Sequence, residues 1–341
     1  VSRDWSSDVC SSDLAAAFFA TISGSSVATA LAIGTVVLPI MLSRGYERRF
    51  SIGVISSSGT LGILIPPSTA MIVYGLVTDA SVPRMFLAGV IPGLLQATLI
   101  GAYILYHAHR NDYPRSQPPT WAQFRRANLR ALPALLIPGV IFSSIYGGIA
   151  TVTEAAALSV VAAMVVAGIY RQIALRDLPG IFAEGIVSAA AISFIVGGAL
   201  MFGQWVLQSG LPQQIVRAVV ALDLTAWQFL LAANLVMLAL GMFFDGMVIT
   251  LIVVPLILPV LIALKIDLVH FAIVLVINME IGLLTPPFGL NLFTMKMISN
   301  APIEEVVHGV LPFIAIMLAL LIVVTYVPAL SLWLPNLVFA K

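Results

Sequence analysis

Several stretches of the sequence carry no charged side chain and are about as long as a membrane crossing. Residues 85–107, 132–148 and 311–334 are such runs, and a bilayer core of about 30 Å requires about 20 apolar residues in a helix. Charged residues make up 9% of the 341 positions, whereas a soluble domain carries about a quarter. Alternating strands typical of a membrane barrel are absent from the sequence. The sequence therefore predicts an all-α polytopic membrane protein.

Composition also excludes several classes of function. A single cysteine cannot form a disulfide framework, and four scattered histidines have no metal-ligand spacing. A net charge of +1 argues against a nucleic-acid partner. The sequence contains no His-Glu-x-x-His, Gly-x-Ser-x-Gly or phosphate-loop motif. We therefore expect no enzymatic activity and no ATP hydrolysis, and energy for any transport must come from an ion gradient.

The first thirteen residues, VSRDWSSDVCSSD, differ in composition from everything that follows. They contain no basic segment leading into an apolar signal sequence, and the chain begins with Val. We interpret residues 1–13 as a non-native or artefactual segment. The first structural unit then begins near residue 14 and is expected to be incomplete at its N-terminus.

Short apolar segments in the first third are broken by polar or helix-breaking residues. Residues 15–22 are too few to cross, the polar stretch 23–26 interrupts them, and residues 27–42 continue. This pattern predicts a re-entrant hairpin. A helix over 50–64 then breaks at Pro66-Pro67, where two amide donors are missing, and a second half-helix follows.

The last third of the chain repeats this pattern at an offset of 220 residues. The offset aligns Pro39 with Pro259, Gly62 with Gly282, Pro66-Pro67 with Pro286-Pro287, Gly89 with Gly309, and Pro92 with Pro312. We predict a first repeat over 14–108, connecting helices and loops over 109–183, and a second repeat over 184–341. Full crossings are expected near 84–108, 130–148, 153–171 and 184–206.

Basic residues favour one side of this topology. Eleven of them fall on one side and only Arg84, Arg217, Lys265 and Lys341 on the other, which makes the first side cytoplasmic. The two repeats then have inverted orientations. Inverted repeats with paired broken helices are the architecture of secondary transporters, whose binding sites lie near the midplane.

The breaks supply the candidate sites, because non-helical backbone in a membrane exposes carbonyls and hydroxyls that suit a hard monovalent cation such as Na⁺. Small residues that only pack helices closely are the alternative. The first candidate Na⁺ site contains Ser23, Gly24, Ser25, Ser26, Ser58, Gly59, Thr60, Gly62 and Pro66. The second contains Asp245, Gly246, Asn278, Gly282, Thr285 and Pro286. Half-helix N-termini suit a substrate carboxylate. The substrate candidates are Ser25, Pro67, Ser68, Asp245, Pro287 and Asn291.

Three acids fall within the predicted membrane segments, where acids are costly and functional by default. Asp245 is either a ligand or a cap of the second tip. Glu154 begins an Ala-rich helix, so an N-terminal structural role is favoured. Glu280 adjoins the second break, and either Lys296 or a neighbouring helix could be its partner.

Five strings resemble the large membrane subunit of the tripartite ATP-independent periplasmic (TRAP) transporters, the DctM-like family. They are ISGSSVATALAIGTVVLPIM at 22–41, GTLGILIPPS at 59–68, FLAGVIPGLL at 86–95, GGIATVTEAAALSVV at 147–161 and NMEIGLLTPPFGLNLF at 278–293. The resemblance covers the chain from about residue 15 to its end. The family begins with further helices before the first hairpin, and Val152 stands where relatives often have Pro or Ala.

This resemblance implies an elevator-type transporter in the bacterial inner membrane that imports small organic acids with sodium and has no cofactor. It implies three partners: a small TRAP membrane subunit, a periplasmic substrate-binding protein and the organic acid, within a lipid bilayer. Sodium ligands are expected at the hairpin tips and the facing breaks. A stand-alone ion-coupled carboxylate carrier and a non-transporting membrane scaffold subunit are the alternatives.

Overall fold

The computed structural model describes residues 25–111, 113, 120–122, 125–126, 129, 132–170 and 173–339. Ser23, Gly24, the segment 1–13 and the first arm of the predicted N-terminal hairpin lie outside these residues. Every regular element in the described ranges is helical, which confirms the all-α prediction.

The helices are numbered in chain order. They are α1 (Ser26–Ser43), α2 (Arg48–Leu64), α3 (Thr69–Thr78), α4 (Val82–Arg110), α5 (Leu136–Tyr146), α6 (Val152–Tyr170), α7 (Leu178–Gln208), α8 (Leu211–Ala221), α9 (Ala226–Gly241), α10 (Gly246–Ala263), α11 (Leu268–Leu284), α12 (Leu290–Ser299), α13 (Ile303–Tyr326) and α14 (Ala329–Phe339). A short 3₁₀ turn, Leu175–Asp177, precedes α7.

Seven segments in the described chain are long and apolar enough to cross a bilayer. They are α1, the α2–α3 pair, α4, α6, α7, α10 and α13. Four shorter apolar helices, α5, α9, α11 and α14, have between 10 and 17 residues. The protein is therefore a multi-pass membrane protein, as its composition predicts.

The described residues form two compact units. One contains the residues up to 117 and those from Trp205 onward, and the other contains those between 118 and 204. Within the second unit, α5 packs against α6. The boundaries 14–108, 109–183 and 184–341 expected from the sequence remain predictions about the repeats.

The core of the first unit is built around the two broken helices. All residues of α11 from Val269 to Leu284 are buried, and so is nearly all of α2 from Phe50 onward. Helices α1 and α13 pack on α2, α9 and α13 pack on α11, and α4 contacts both. Because other helices surround α2 and α11, polar groups on these two helices are shielded from lipid.

Glycines permit the closest helix contacts in this unit. At the crossing of α2 and α13, Gly53 lies against the backbone of Gly309 with no room for a Cβ atom. At the crossing of α9 and α11, a Cβ atom at Gly282 would lie 2.8 Å from the Cα atom of Gly241. Small residues at such crossings let membrane helices approach each other closely.

The helices of the two predicted repeats agree in length. Both α1 and α10 have 18 residues, both α2 and α11 have 17, and both α3 and α12 have 10. Each break contains a cis Pro-Pro bond. Asp79 and Asn300, which follow α3 and α12, both adopt left-handed backbone with φ of 56° and 49°, a conformation that Asp and Asn tolerate. The inverted orientation of the two repeats stays a prediction.

Two details of the predicted helices were wrong. The crossing expected near 130–148 is a helix of 11 residues, Leu136–Tyr146. It is preceded by a turn that contains Pro133 and followed by Gly148, whose φ of 67° cannot continue a helix. Helix α8, which has Pro212 in its first turn and packs against α10, was not predicted.

Candidate functional site

The N-terminus of α1 lies against the middle of α2. Ser25 caps α1, and its hydroxyl oxygen accepts a hydrogen bond from the Ala28 amide at 3.4 Å. A Cβ atom at Gly59 would lie 3.3 Å from the carbonyl oxygen of Ser26. The absence of a side chain at Gly59 therefore lets the tip rest directly on the broken helix. Two parts of the first predicted site, the tip and α2, are brought together.

Asn291, from the start of α12, joins this same contact. Its Oδ1 atom accepts from the Ser26 hydroxyl at 3.5 Å, and its Nδ2 atom donates to the carbonyl oxygen of Ser56 at 3.5 Å. Both distances are at the outer limit of a hydrogen bond. The asparagine is fully buried. A substrate candidate from the second half of the chain thus lies with the ion candidates of the first half.

Two buried hydroxyl groups of the first break have no hydrogen-bond partner among the described residues. They belong to Ser56, in α2, and Ser68, which precedes α3. A buried hydroxyl normally finds a partner, so each can serve a ligand without giving up an internal bond. We call Ser26, Ser56 and Asn291, together with Gly59, the first polar cluster.

Other predicted residues of the first break lie along α2 and the turn after it. Ser58 and Gly62 are buried in α2, and Pro66 is buried in the cis Pro66-Pro67 turn, where Pro67 is partly exposed. The Thr60 side chain lies within hydrogen-bonding reach of Glu280 on α11. Its hydroxyl donates to the carbonyl oxygen of Ser57 at 2.8 Å.

The second predicted site is more spread out. Asp245 is exposed and caps α10, because its Oδ1 atom accepts from the Met247 amide at 2.9 Å. Gly246 is buried and packs against the side chain of Met279. Asn278 turns instead toward α9, where its Nδ2 atom donates to Asn234 Oδ1 at 2.8 Å. Asp245 and Asn278 therefore have different surroundings.

The second break is held by local hydrogen bonds. The Thr285 hydroxyl donates to the carbonyl oxygen of Ile281 at 2.6 Å, and the Phe288 amide after the cis Pro286-Pro287 bond donates to the Met242 carbonyl at 3.2 Å. Pro287 is exposed. Contact between Gly282 and Gly241 brings this break beside the tip that joins α9 to α10.

The chain matches the family model described as tripartite ATP-independent periplasmic transporter, DctM component, over residues 12–330. The chain belongs to this TRAP transporter family. It is 40% identical over 339 residues to the C4-dicarboxylate TRAP transporter large permease protein of Rhodobacter capsulatus, covering 95% of this chain and 77% of the relative. The corresponding protein of Pseudomonas aeruginosa is 39% identical over 324 residues, covering 95% of this chain and 76% of the relative.

A third relative has a different name. The ectoine/5-hydroxyectoine TRAP transporter large permease protein of Ruegeria pomeroyi is 35% identical over 329 residues, which cover 96% of this chain and 77% of that protein. These matches make the chain a TRAP large permease subunit, a role that is not enzymatic. With its seven long apolar helices, it is a multi-pass protein of the bacterial inner membrane.

Several polar residues with buried contacts in this TRAP subunit were not among the predicted site residues. Asn234 in α9 donates from Nδ2 to the Thr325 hydroxyl at 3.0 Å and accepts from Asn278. Gln96 in α4 donates from Nε2 to Glu280 Oε2 at 2.6 Å. Gln96 is the one amide of α4, and Asn234 lies within the apolar stretch of α9 after Gln228. A polar side chain inside an apolar stretch is the signal that could have identified both. Ser56 had no such signal, because it is one of three consecutive serines.

The structure also gives the hydrogen-bond partners of the acids Glu154 and Glu280. Glu154 forms a capping box at the start of α6, since its Oε2 atom accepts from the Thr151 amide at 2.8 Å and from the Thr151 hydroxyl at 2.9 Å. This confirms the predicted structural role. Lys296 is exposed, and the partner of Glu280 is Gln96 of α4, one of the neighbouring helices that the sequence left open.

Proposed function

We propose that this TRAP subunit carries sodium-coupled import of small organic acids through the inner membrane. The observation that carries the proposal is the first polar cluster, where a helix tip, a broken helix and Asn291 from the opposite half of the sequence meet in a buried place. Its hydroxyl, amide and carbonyl oxygens are the ligands that a hard monovalent cation prefers. Packing alone would not require the buried Ser56 hydroxyl, which has no hydrogen-bond partner among the described residues.

Sodium ligands in this proposal are the oxygens of the first polar cluster and the predicted residues of both breaks. Ser56 joins the predicted set, because its free hydroxyl points to a ligand. The substrate carboxylate binds near Asn291 and the N-termini of α3 and α12, where the helix dipole favours an anion. Asp245, at the exposed second tip, caps α10 and gates access from that side.

The proposed movement is of the elevator type. The α9–α10 hairpin and its N-terminal counterpart are re-entrant in this proposal, and their orientations are inverted relative to each other. Helix lengths that agree at an offset of 220 residues support a duplicated architecture. A periplasmic binding protein delivers the acid, and a small membrane subunit supports the scaffold. C4-dicarboxylates are the first substrates to test, because two relatives at about 40% identity are named for them.

Uptake of labelled organic acids into proteoliposomes tests this function. The subunit is reconstituted with a small membrane subunit and a binding protein, and an inward sodium gradient is imposed, omitted or replaced by potassium. We expect uptake that requires both sodium and the binding protein. Sodium-driven uptake without the binding protein would indicate a stand-alone carrier. Folded protein that takes up no acid under any condition would indicate a scaffold subunit.

A further inference from the structure

The chain before and through α5 carries positive charge and no negative charge. Between residues 113 and 153 the sequence has no aspartate or glutamate, and its basic residues are Arg115, Arg125, Arg126 and Arg130. Arg125 and Arg126 are exposed, and neither forms an ion pair with any residue that the structure describes. By contrast, Arg176 pairs with Asp177 at 3.7 Å. The unbalanced charge of this segment favours an anionic partner.

Two large apolar side chains lie beside these arginines and are exposed. Trp121 is 75% exposed and Leu129 is 61% exposed. Both residues, and the two arginines between them, are helical. Because helical residues four positions apart share one face, Trp121, Arg125 and Leu129 line the same face, and Arg126 is turned from it by about 100°. An exposed tryptophan beside arginines is typical of a helix in the interfacial region of a bilayer.

The turn before α5 separates these helical residues from the next apolar helix. In this turn the Leu135 amide donates to the Leu132 carbonyl oxygen at 3.1 Å, and α5 begins at Leu136. Helix α5 has 11 residues, which extend about 16 Å, about half of the apolar core of a bilayer. Two adjacent arginines would be costly within that core. The helical residues before the turn therefore suit the membrane surface and not a crossing.

We propose that Trp121, Arg125, Arg126 and Leu129 form a binding surface for anionic phospholipids. The two apolar side chains enter the boundary between headgroups and acyl chains, and the guanidinium groups donate hydrogen bonds to lipid phosphates. The apolar stems of the arginines can remain in this boundary while their charged ends reach the phosphates. The proposal goes beyond the transport function and does not depend on it. Basic surfaces of this kind bind the negatively charged cytoplasmic leaflet, the side predicted for this segment from the distribution of basic residues.

Fluorescence quenching by brominated lipids tests the proposal without any transport measurement. The purified subunit is reconstituted in bilayers of phosphatidylcholine and phosphatidylglycerol in equal amounts, with the bromine carried by one lipid or by the other. The contribution of Trp121 is the difference in quenching between the wild type and Trp121→Phe, a conservative change at an exposed position. We expect both lipids to quench Trp121, with stronger quenching by the anionic phosphatidylglycerol. This preference should weaken at high salt, which screens exposed charges.

Arginine variants identify the source of the preference. Arg125→Gln combined with Arg126→Gln should abolish the preference for phosphatidylglycerol, whereas the control Arg176→Gln, which removes an exposed arginine that pairs with Asp177, should retain it. Absence of Trp121 quenching by either lipid, equal quenching by both lipids in the wild type, or an unchanged preference in the double variant would overturn the proposal. Quenching that is lost when a small TRAP membrane subunit is added would assign the surface to that subunit instead.

Discussion

Asn291 connects two parts of the sequence that lie far apart. Its buried amide reaches both Ser26 and the backbone of Ser56 at 3.5 Å, so it can turn toward a bound ion or carboxylate at little cost. A single side chain therefore links the tip of α1, the broken helix α2 and the beginning of α12.

Replacement of Asn291 by alanine should lower the initial rate of uptake. A hydrogen bond to a charged group contributes about 1.5–3 kcal/mol, which corresponds to about 10- to 100-fold. Asn336→Ala is the matched control, because Asn336 accepts a hydrogen bond from Arg84 at an exposed position of α14. Equal rates for Asn291→Ala and the control would exclude Asn291 from the transport site.

A second asparagine pair holds the scaffold together. Asn234 accepts from Asn278 and donates to Thr325, so it joins α9, α11 and α13. Asn234→Leu should lower the free energy of unfolding by about 1–3 kcal/mol, because buried partners are left unpaired. The loss should be smaller when Asn278 is also replaced by leucine. An identical loss in both backgrounds, measured by unfolding in detergent, would show that the two amides are energetically independent.

Among the elements, the broken helices α2 and α11 depend on close contacts between backbones. Gly53→Ala should destabilise the protein by at least about 1–3 kcal/mol, because the methyl group would overlap the backbone of α13 at Gly309. Gly101→Ala is the control, since a Cβ atom there meets nothing within 4 Å. This control should be neutral or slightly stabilising. A neutral Gly53→Ala variant in the same unfolding assay would contradict the packing described for α2.

Pro66 and Pro67 end α2, so backbone groups beside the break are not used in helical hydrogen bonds. Replacing Pro66-Pro67 by Ala-Leu should let the helix continue and should abolish uptake while the protein still inserts in the membrane. Pro179→Ala, at an exposed position near the start of α7, should retain uptake. Normal uptake by the Ala-Leu variant in proteoliposomes would support the scaffold alternative.

Most helix positions could be predicted from the sequence, because Pro-Pro pairs and long apolar runs determine the local structure. The bounds of α1, α2, α10 and α11 follow from such signals. The position of Asn291 beside Ser26 does not, since it depends on packing between segments 265 positions apart. Thr60 shows the same limit: its place in the break is evident from the sequence, but its direction toward Glu280 depends on how α2 crosses α11.

At the scale of the whole molecule, sodium binding at the proposed sites should stabilise the folded subunit. A ligand that binds only the folded state stabilises it by RT ln(1 + c/Kd), where c is the free ligand concentration, and so raises the unfolding temperature. Two adjacent serines allow a strict comparison. Ser56 has a buried hydroxyl that lacks a partner in the described chain, whereas the Ser57 hydroxyl donates to the carbonyl oxygens of Gly53 at 2.9 Å and Val54 at 3.1 Å.

The most direct measurement is the unfolding temperature of the purified subunit in sodium chloride and in potassium chloride of equal ionic strength. Sodium should raise this temperature in the wild type and in Ser57→Ala, and the rise should be smaller in Ser56→Ala, whose stability in potassium should be unchanged or slightly higher. Equal unfolding temperatures of the wild type in the two salts, or a full sodium response in Ser56→Ala, would contradict a sodium site at the first polar cluster.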